Sequence, residues 1–475
     1  MDGRIRENYI FNVLNQVLSL VVPFISAPYL SRVLGADGIG SYSYHESIVA
    51  YFVLIAAFGL SLYGQREISY CQNDRAIRSK VFWETFLIGF FSGLVAIILY
   101  LVFLLNGRSD AMFLVLSLNL IACPLDISWF FTGMENFKLV SIRSLLFKVV
   151  NVAFIFLVVK DKTDLVVYAA GISGLSLLNG ISLWFSLPKY VSFVQLKDLH
   201  PCRRIPAVFS LFVPTIAIQV YTVLDKTMIG MITKDSFQNG YYEQAVRMTR
   251  MVLSLITALG YVMMSRIGAF FSSKKDAELK QTIYESYRFV WFLAIPLSFG
   301  LSSISSNFIP WFYGPGFEGT IPLLRILSFL IIAIGVSNVT GIQYMIPVGK
   351  QRQYTASVIT GACTNLILNA FLIPSYKALG ASIASLIAEI SVTATQLFLI
   401  RKDLSVGRIL RSSWKYLVSG SVMFFVVSLE GKLFDATVKH TIAMVVSGCV
   451  VYFFMLFVVR DDLVRTILSK GDSSV

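Results

Sequence analysis

Apolar stretches of roughly 20 residues recur along the whole chain, with only short polar segments between them. A helix of that length rises about 30 Å, which matches the hydrocarbon core of a bilayer. The pattern predicts an all-α polytopic membrane protein with about 14 transmembrane helices. The predicted spans cover residues 11–31, 42–64, 82–105, 111–132, 142–159, 165–187, 208–232, 244–270, 289–309, 321–346, 355–374, 378–400, 412–430 and 440–459.

Lys and Arg are unequally distributed between the two sides of this predicted topology. An even number of spans places both termini on one side. The segments on that side, counted together with the adjoining span ends at 142–148 and 412–415, contain 27 of the 40 Lys and Arg residues, whereas the opposite segments contain eight. Cytoplasmic loops retain Lys and Arg, so we expect both termini to lie in the cytoplasm.

The composition fits a protein built inside a membrane, with 56% hydrophobic and 14% charged residues. The net charge of +13 could indicate nucleic-acid binding, but basic cytoplasmic loops account for it, and we expect no nucleic-acid partner. None of the five cysteines falls in a predicted outer loop, so we expect no disulfide. The three histidines match no zinc motif, and no metal site or resident cofactor is expected.

Motifs of membrane enzymes are missing from the sequence. No phosphate-binding G-x-x-x-x-G-K-[ST] loop is present, since Gly349-Lys350 is followed by Gln351. The sequence also contains neither H-E-x-x-H nor G-x-S-x-G. The longest predicted outer loops have about a dozen residues, which is short for a membrane glycosyltransferase. We therefore expect a transporter and not an enzyme.

Two parts of the chain resemble each other. Gly35–Tyr42 after the first span and Ser236–Tyr242 after the seventh are both short polar loops that end in Gly and an aromatic residue. The pairing predicts an N-terminal lobe at residues 1–203, a C-terminal lobe at 204–403, and two further helices with a short cytoplasmic tail at 404–475. Paired repeats are typical of transporters that hold the substrate between their halves. Chance similarity between Gly- and aromatic-rich helices is the alternative.

Several ionisable residues fall within predicted spans, where their insertion costs about 2.5–3.5 kcal/mol. Asp225 and Lys226 lie inside span 7, and Arg247 and Arg250 lie one turn apart on one face of span 8. Such residues usually face a cavity or a partner.

The equivalent helices of the first lobe carry Arg32, His45 and Glu46. We predict a cavity whose cations bind an anionic head group, because the Arg fork holds two phosphate oxygens. Arg32 and His45 have the alternative of snorkelling to the membrane interface. The predicted cations are Arg32, Lys226, Arg247 and Arg250, accompanied by His45, Glu46 and Asp225.

Two isolated acids, Asp126 in span 4 and Glu389 in span 12, are candidates for ion coupling. A membrane-embedded carboxylate can bind Na⁺ or a proton and link transport to its gradient. Pairing with a neighbouring helix is the alternative for both residues.

Six strings in one order resemble the Wzx-type oligosaccharide repeat-unit flippases. These belong to the polysaccharide transporter family within the multidrug/oligosaccharidyl-lipid/polysaccharide exporter superfamily. The resemblance extends from the first helix to span 12. The strings are Pro28–Gly35, Gly38–Tyr44, Asp126–Phe131 with Gly133 and Glu135 beyond it, Asp225–Gly230, Gly240–Ala245 and Gly341–Lys350.

This resemblance implies two six-helix lobes in a V around a central cavity, with two extra C-terminal helices. It also implies a bacterial plasma-membrane protein that moves polyprenyl-pyrophosphate-linked oligosaccharides to the outer leaflet by alternating access. A separate polymerase would then join them into capsule, O-antigen or exopolysaccharide. The expected partners are this lipid-linked substrate, membrane lipids, and the polymerase with its assembly proteins.

Three alternatives stay open. A cation-coupled multidrug exporter on the same fold predicts a cavity rich in acids, whereas the predicted cavity is rich in Arg and Lys. A lipid-linked peptidoglycan precursor flippase has the same architecture and a related cargo. A non-transporting scaffold of a polysaccharide-assembly complex would leave the membrane-embedded charges without a role.

Overall fold

The computed structural model describes residues 3–107 and 110–461. Arg108, which the sequence places in an outer loop, and the predicted cytoplasmic tail from residue 462 onward lie outside the described residues. Within them the α-helices are α1 (Gly3–Ala57), α2 (Leu60–Tyr70), α3 (Arg75–Leu105), α4 (Ala111–Leu116), α5 (Leu118–Leu125), α6 (Ser128–Gly133), α7 (Phe137–Val158), α8 (Leu165–Ser182), α9 (Ile205–Thr233), α10 (Ser236–Ser272), α11 (Asp276–Phe312), α12 (Thr320–Leu327), α13 (Leu330–Asn338), α14 (Gln351–Ile400), α15 (Val406–Arg411), α16 (Trp414–Leu433) and α17 (Val438–Val458).

Ten stretches of the described chain are helical, long and apolar enough to cross a membrane. Two of them, Val21–Tyr70 and Gln351–Ile400, each contain 50 residues and therefore have room for two spans. Two further helices, α9 with 29 residues and α10 with 37, bring the number to 14. The prediction of an all-α protein with about 14 membrane helices is confirmed.

The first long stretch reverses direction at Gly35, whose φ of 70° lies in the left-handed region that favours glycine. Before the turn, the Tyr29 hydroxyl donates to the carbonyl of Val159 just after α7, at 2.6 Å. After the turn, the Tyr42 ring packs edge-on against Tyr168 near the start of α8. The end of α7 and the start of α8 adjoin, so the two arms of α1 meet the same end of that helix pair.

The second long stretch, α14, reverses at Lys377, which has a φ of 51° and a ψ of −132°. Its two arms pack closely, since a Cβ on Gly361 would lie 2.2 Å from the Val392 side chain. The Ser391 hydroxyl donates to the Thr364 hydroxyl across the same pair, at 3.4 Å. The single long helix is therefore a helical hairpin.

The chain folds as two compact units, which meet in sequence at Thr227 and Met228. In the first unit, α2, α3, α6 and the segment after α8 enclose an aromatic core that includes Phe82, Trp129, Phe130 and Phe131. In the second unit, α11 packs against α10, α12, α13, α16 and α17. The lobe boundaries predicted at residues 203 and 403 stay predictions.

Candidate functional site

A cavity of about 650 Å³ lies within the first unit, among residues of α1, α2, α3, α5, α6 and α8. It brings together two acids that the sequence assigned to different roles, Glu46 and Asp126. Its polar lining residues include Glu46, Thr85, Asn119, Asp126, Ser128 and Asn179. The site is therefore a cavity in which two carboxylates lie among hydroxyl, amide and apolar side chains.

Glu46 reaches the cavity from the second arm of α1. The Tyr42 hydroxyl, one turn earlier on the same helix face, donates to Glu46 Oε1 at 3.3 Å. Both residues line the cavity, so the tyrosine orients the carboxylate on that wall.

Asp126 occupies the break between α5 and α6. Its ψ of 101° is extended, and its Oδ1 accepts the backbone N–H of Ser128 at 2.9 Å as α6 begins. This hydrogen bond satisfies one of the free N–H groups at a helix start. Because Asp126 lies at an interrupted helix, its carboxylate can serve both the helix start and the cavity.

Two other cavity residues have polar atoms without a hydrogen-bond partner among the described residues, namely Thr85 Oγ1 and Asn179 Oδ1. Thr85 is 1% exposed. Hydroxyl, amide and carboxylate oxygens are the ligands that hard cations prefer. Oxygen ligands of this kind therefore line the cavity. No group of three or more His, Cys, Asp or Glu residues suited to a metal ion occurs in the described chain.

His45 does not line this cavity. Its Nε2 lies 3.2 Å from Asp110 Oδ2, its Nδ1 lies 2.7 Å from the Ser41 carbonyl, and its ring packs on Phe113. The structure places the histidine between α1 and the start of α4, where it joins two helices.

Arg32 lies three residues before the turn at Gly35 and is exposed. Its Nη1 donates to the Pro28 carbonyl one turn earlier, at 3.4 Å. The exposed position agrees with either the predicted cation site or the snorkelling alternative.

Asp225 and Lys226 lie in the first unit, near the end of α9. Asp225 is 6% exposed and Lys226 is half-buried. The next residue, Thr227, donates through its hydroxyl to the Ser47 hydroxyl of α1 at 2.9 Å. A hydrogen bond therefore joins this stretch of α9 to the arm of α1 that carries Glu46.

Arg247 and Arg250 lie in α10 of the second unit. Arg247 Nη2 forms an ion pair with Glu243 Oε1 at 3.1 Å, and Glu243 is 7% exposed. Arg250 is exposed. The sequence analysis missed Glu243, although its spacing of four residues before Arg247 is the usual spacing of a helical ion pair.

Glu389 is half-buried on the second arm of α14, in the second unit. Its backbone carbonyl accepts the Thr393 hydroxyl at 2.9 Å. The two acids proposed for ion coupling, Asp126 and Glu389, thus belong to different units, and Asp126 is the one that lines the described cavity.

A partly buried ion cluster, which the sequence analysis also missed, joins the segment before α9 to α2 and α3. Arg204 donates to Glu84 Oε2 at 2.5 Å, to the Tyr63 hydroxyl at 3.1 Å and to Glu67 Oε2 at 3.3 Å. Burial acts to lower the pKa of the Arg204 guanidinium, but the hydrogen bonds that Arg204 donates to Tyr63 and Glu84, together with the electrostatic attraction of these two groups, leave that pKa raised. The cluster could have been suspected from the sequence, because Glu84 is an acid at the third residue of the predicted span 82–105.

Solved structures share this fold over nearly the whole chain. A structure of the lipid II flippase MurJ in an inward closed conformation covers 96% of this chain and 100% of its own, with a TM-score of 0.77 and 16% identity. An inward-facing multidrug resistance MATE family transporter of the MOP superfamily covers 83% of this chain and 99% of its own, with a TM-score of 0.61 and 14% identity. The fold class of the chain is therefore that of MurJ and MATE proteins.

Sequence comparison identifies the family. Residues 5–267 match the family described as polysaccharide biosynthesis protein. The chain belongs to this family, and the resemblance found in the six strings is confirmed. A protein of Escherichia coli (strain K12), provisionally named an O-antigen transporter, is 24% identical over 418 residues, which cover 84% of this chain and 97% of that protein.

Proposed function

We propose that the protein is a flippase for polyprenyl-pyrophosphate-linked oligosaccharide units. It moves them from the cytoplasmic to the outer leaflet of the bacterial plasma membrane, by alternating access, for assembly of capsule, O-antigen or exopolysaccharide. The observation that carries this proposal is the match to 97% of the O-antigen transporter relative, which extends over both units of the chain.

Membrane-embedded charge supports the same proposal. Free crossing would bring a hydrated sugar and a charged pyrophosphate into hydrocarbon, where charged groups are costly. Arg32, Lys226, Arg247 and Arg250 are the cations proposed to bind the pyrophosphate. Glu243 would orient the Arg247 guanidinium through their 3.1 Å ion pair.

The cavity of the first unit supplies the coupling step of the proposal. Glu46 and Asp126 line it together with hydroxyl and amide oxygens, and a Na⁺ ion or a proton would bind there. A carboxylate that binds a cation loses its net negative charge, and its interactions with neighbouring helices change. Cation binding would therefore favour one of the two alternating-access conformations over the other. A polysaccharide polymerase and its assembly proteins would receive the product in the outer leaflet.

Complementation of a flippase-null strain tests the proposal, with surface polysaccharide as the measurement. The native chain should restore polysaccharide, whereas Arg250→Ala and the paired variant Glu243→Gln/Arg247→Gln should not. The paired variant removes both charges and leaves no buried carboxylate without its partner. Lys439→Ala, which removes an exposed cation just after the start of α17, is the matched control. Normal polysaccharide from equally expressed variants would reject the cation site.

A lipid-linked peptidoglycan precursor is the second candidate substrate, favoured by the likeness to MurJ over 96% of this chain. Expressing the native chain and the same variants in a strain depleted of its lipid II flippase separates the two candidate substrates. Rescue of growth there, without rescue of the polysaccharide, would identify the peptidoglycan precursor as the cargo.

A further inference from the structure

A second cavity, of about 270 Å³, lies wholly within the second unit. It is formed by the start of α11, by α15, by the start of α16 and by Asp461. Residues 273–288, 401–415 and the segment after span 14, which contribute these walls, are all predicted to be cytoplasmic. The cavity therefore belongs to one predicted face of the membrane, where lipid head groups of the inner leaflet lie.

The floor of this cavity is a closed network of hydrogen bonds. Arg288 donates to Asp461 at 3.3 Å and to the Tyr416 hydroxyl at 3.1 Å, and Tyr416 donates to Asp461 at 3.1 Å. Asp461 is 2% exposed. The network fixes the end of α17 to α11 and α16, so the cavity is preformed and the Arg288 charge is balanced.

Two further cations line the wall. The Arg408 guanidinium lies 4.4 Å from the centre of the Tyr284 ring, and Lys415 Nζ donates to the Arg460 carbonyl at 2.8 Å. Neither forms an ion pair with a carboxylate among residues 3–107 and 110–461. Stacking on the Tyr284 ring holds the planar Arg408 guanidinium in position, and a guanidinium group can bind two phosphate oxygens at once.

The remaining walls add groups that can accept hydrogen bonds from hydroxyls, and an aromatic residue typical of the membrane interface. Gln281, Tyr284, Glu285 and Arg288 follow the spacing of one helix face on α11. Gln281 Nε2 donates to Glu285 Oε1 at 2.7 Å, so Glu285 Oε2 is available to accept a hydrogen bond from a hydroxyl group. Trp414 is half exposed, as is typical of tryptophan at the depth of lipid head groups.

We propose that this cavity binds the head group of an anionic phospholipid of the inner leaflet, of the phosphatidylglycerol type. Arg408 and Lys415 contact the phosphodiester, and Glu285 accepts a glycerol hydroxyl. Basic pockets at the cytoplasmic ends of membrane helices bind anionic head groups by this chemistry. The site is separate from the residues proposed for transport, so it stands whether or not the cargo is an oligosaccharide.

The test uses the purified full chain in detergent, titrated with short-chain phosphatidylglycerol, with phosphatidylcholine of the same chain length, and with inorganic phosphate. Thermal unfolding reports binding. Phosphatidylglycerol should give a saturable rise in Tm that the other two ligands do not give. Arg408→Ala and Lys415→Ala should each weaken binding about fivefold. Lys402→Ala, an exposed cation of the same segment outside the cavity, is the matched control.

Three results would overturn the proposal. Equal shifts with phosphatidylcholine would assign the effect to the acyl chains. Saturation by inorganic phosphate at the same affinity would identify a free-phosphate site. Unchanged phosphatidylglycerol binding by the Arg408→Ala/Lys415→Ala double variant would place the lipid elsewhere on the protein.

Discussion

Arg204 and Glu84 are 120 residues apart in sequence, and the Arg204 Nε donates to Glu84 Oε2 at 2.5 Å. The Glu84 side chain is 3% exposed, whereas that of Arg204 is 21% exposed. The second oxygen of the carboxylate accepts the backbone N–H of His200 at 2.9 Å. Glu84 therefore fastens the segment before α9 to α3 at two points.

Replacing Arg204 with Ala should destabilise the protein by about 3 kcal/mol, because Glu84 would keep a buried charge without its cation. Unfolding in detergent measures the loss. The exposed neighbour Arg203 gives a control, since Arg203→Ala should change stability by no more than about 0.5 kcal/mol.

A double-mutant cycle isolates the pair. In the Arg204→Ala background, Glu84→Gln should recover part of the lost stability, because it removes the uncompensated charge. If the two substitutions change the free energy of unfolding additively, Arg204 and Glu84 are not energetically coupled.

Close packing of α2 on α6 depends on Gly64. A Cβ at this position would lie 2.3 Å from the Trp129 ring, so Gly64→Ala should cost about 1–3 kcal/mol through overpacking. Gly174, in the helix α8, has nothing within 4 Å of its Cβ position. There the same substitution should stabilise by up to about 1 kcal/mol through helix propensity. Thermal unfolding of the two variants side by side checks the contrast, and equal shifts would contradict it.

The number of membrane helices could be predicted from the sequence because burial in lipid demands long apolar runs. The reversal at Gly35 was predictable too, since the polar loop Gly35–Tyr42 interrupts the apolar pattern. In the structure the second helical arm of α1 begins directly after Gly35, and α10 begins at Ser236, so the two segments predicted as polar loops are helical.

The partners of the membrane-embedded charges were harder to predict. Glu243 could have been found from its spacing to Arg247, because an ion pair at four residues depends on the helix alone. The meeting of Glu46 with Asp126 in one cavity depends on how α1 packs against α5 and α6. No periodicity in either segment contains that information, and only the folded bundle brings the two acids together.

The predicted sidedness of the chain can be measured with single-cysteine variants. Cys202 is exposed and lies in a predicted cytoplasmic segment, whereas Lys162→Cys would lie in a predicted outer loop. A membrane-impermeant maleimide should label Lys162→Cys in intact cells and Cys202 only after permeabilisation. Cys71 is the poorer reporter, because burial raises the pKa of its thiol and lowers the thiolate fraction at neutral pH. Labelling of Cys202 in intact cells would reverse the assigned orientation.

Ion coupling should depend on Asp126 and not on Glu389, since only Asp126 shares the described cavity with a second acid. In vesicles, collapse of the Na⁺ or the proton gradient should slow transport by the native chain and by Glu389→Gln. The neutral amide of Asp126→Asn can neither take up a proton as a carboxylate does nor offer Na⁺ a negative charge. Transport by this variant should therefore be slow and independent of both gradients. The Asn side chain can still accept the Ser128 N–H that begins α6, and the fold should persist. A native chain whose transport ignores both gradients would remove the coupling proposal, and gradient-dependent Asp126→Asn would move it to another residue.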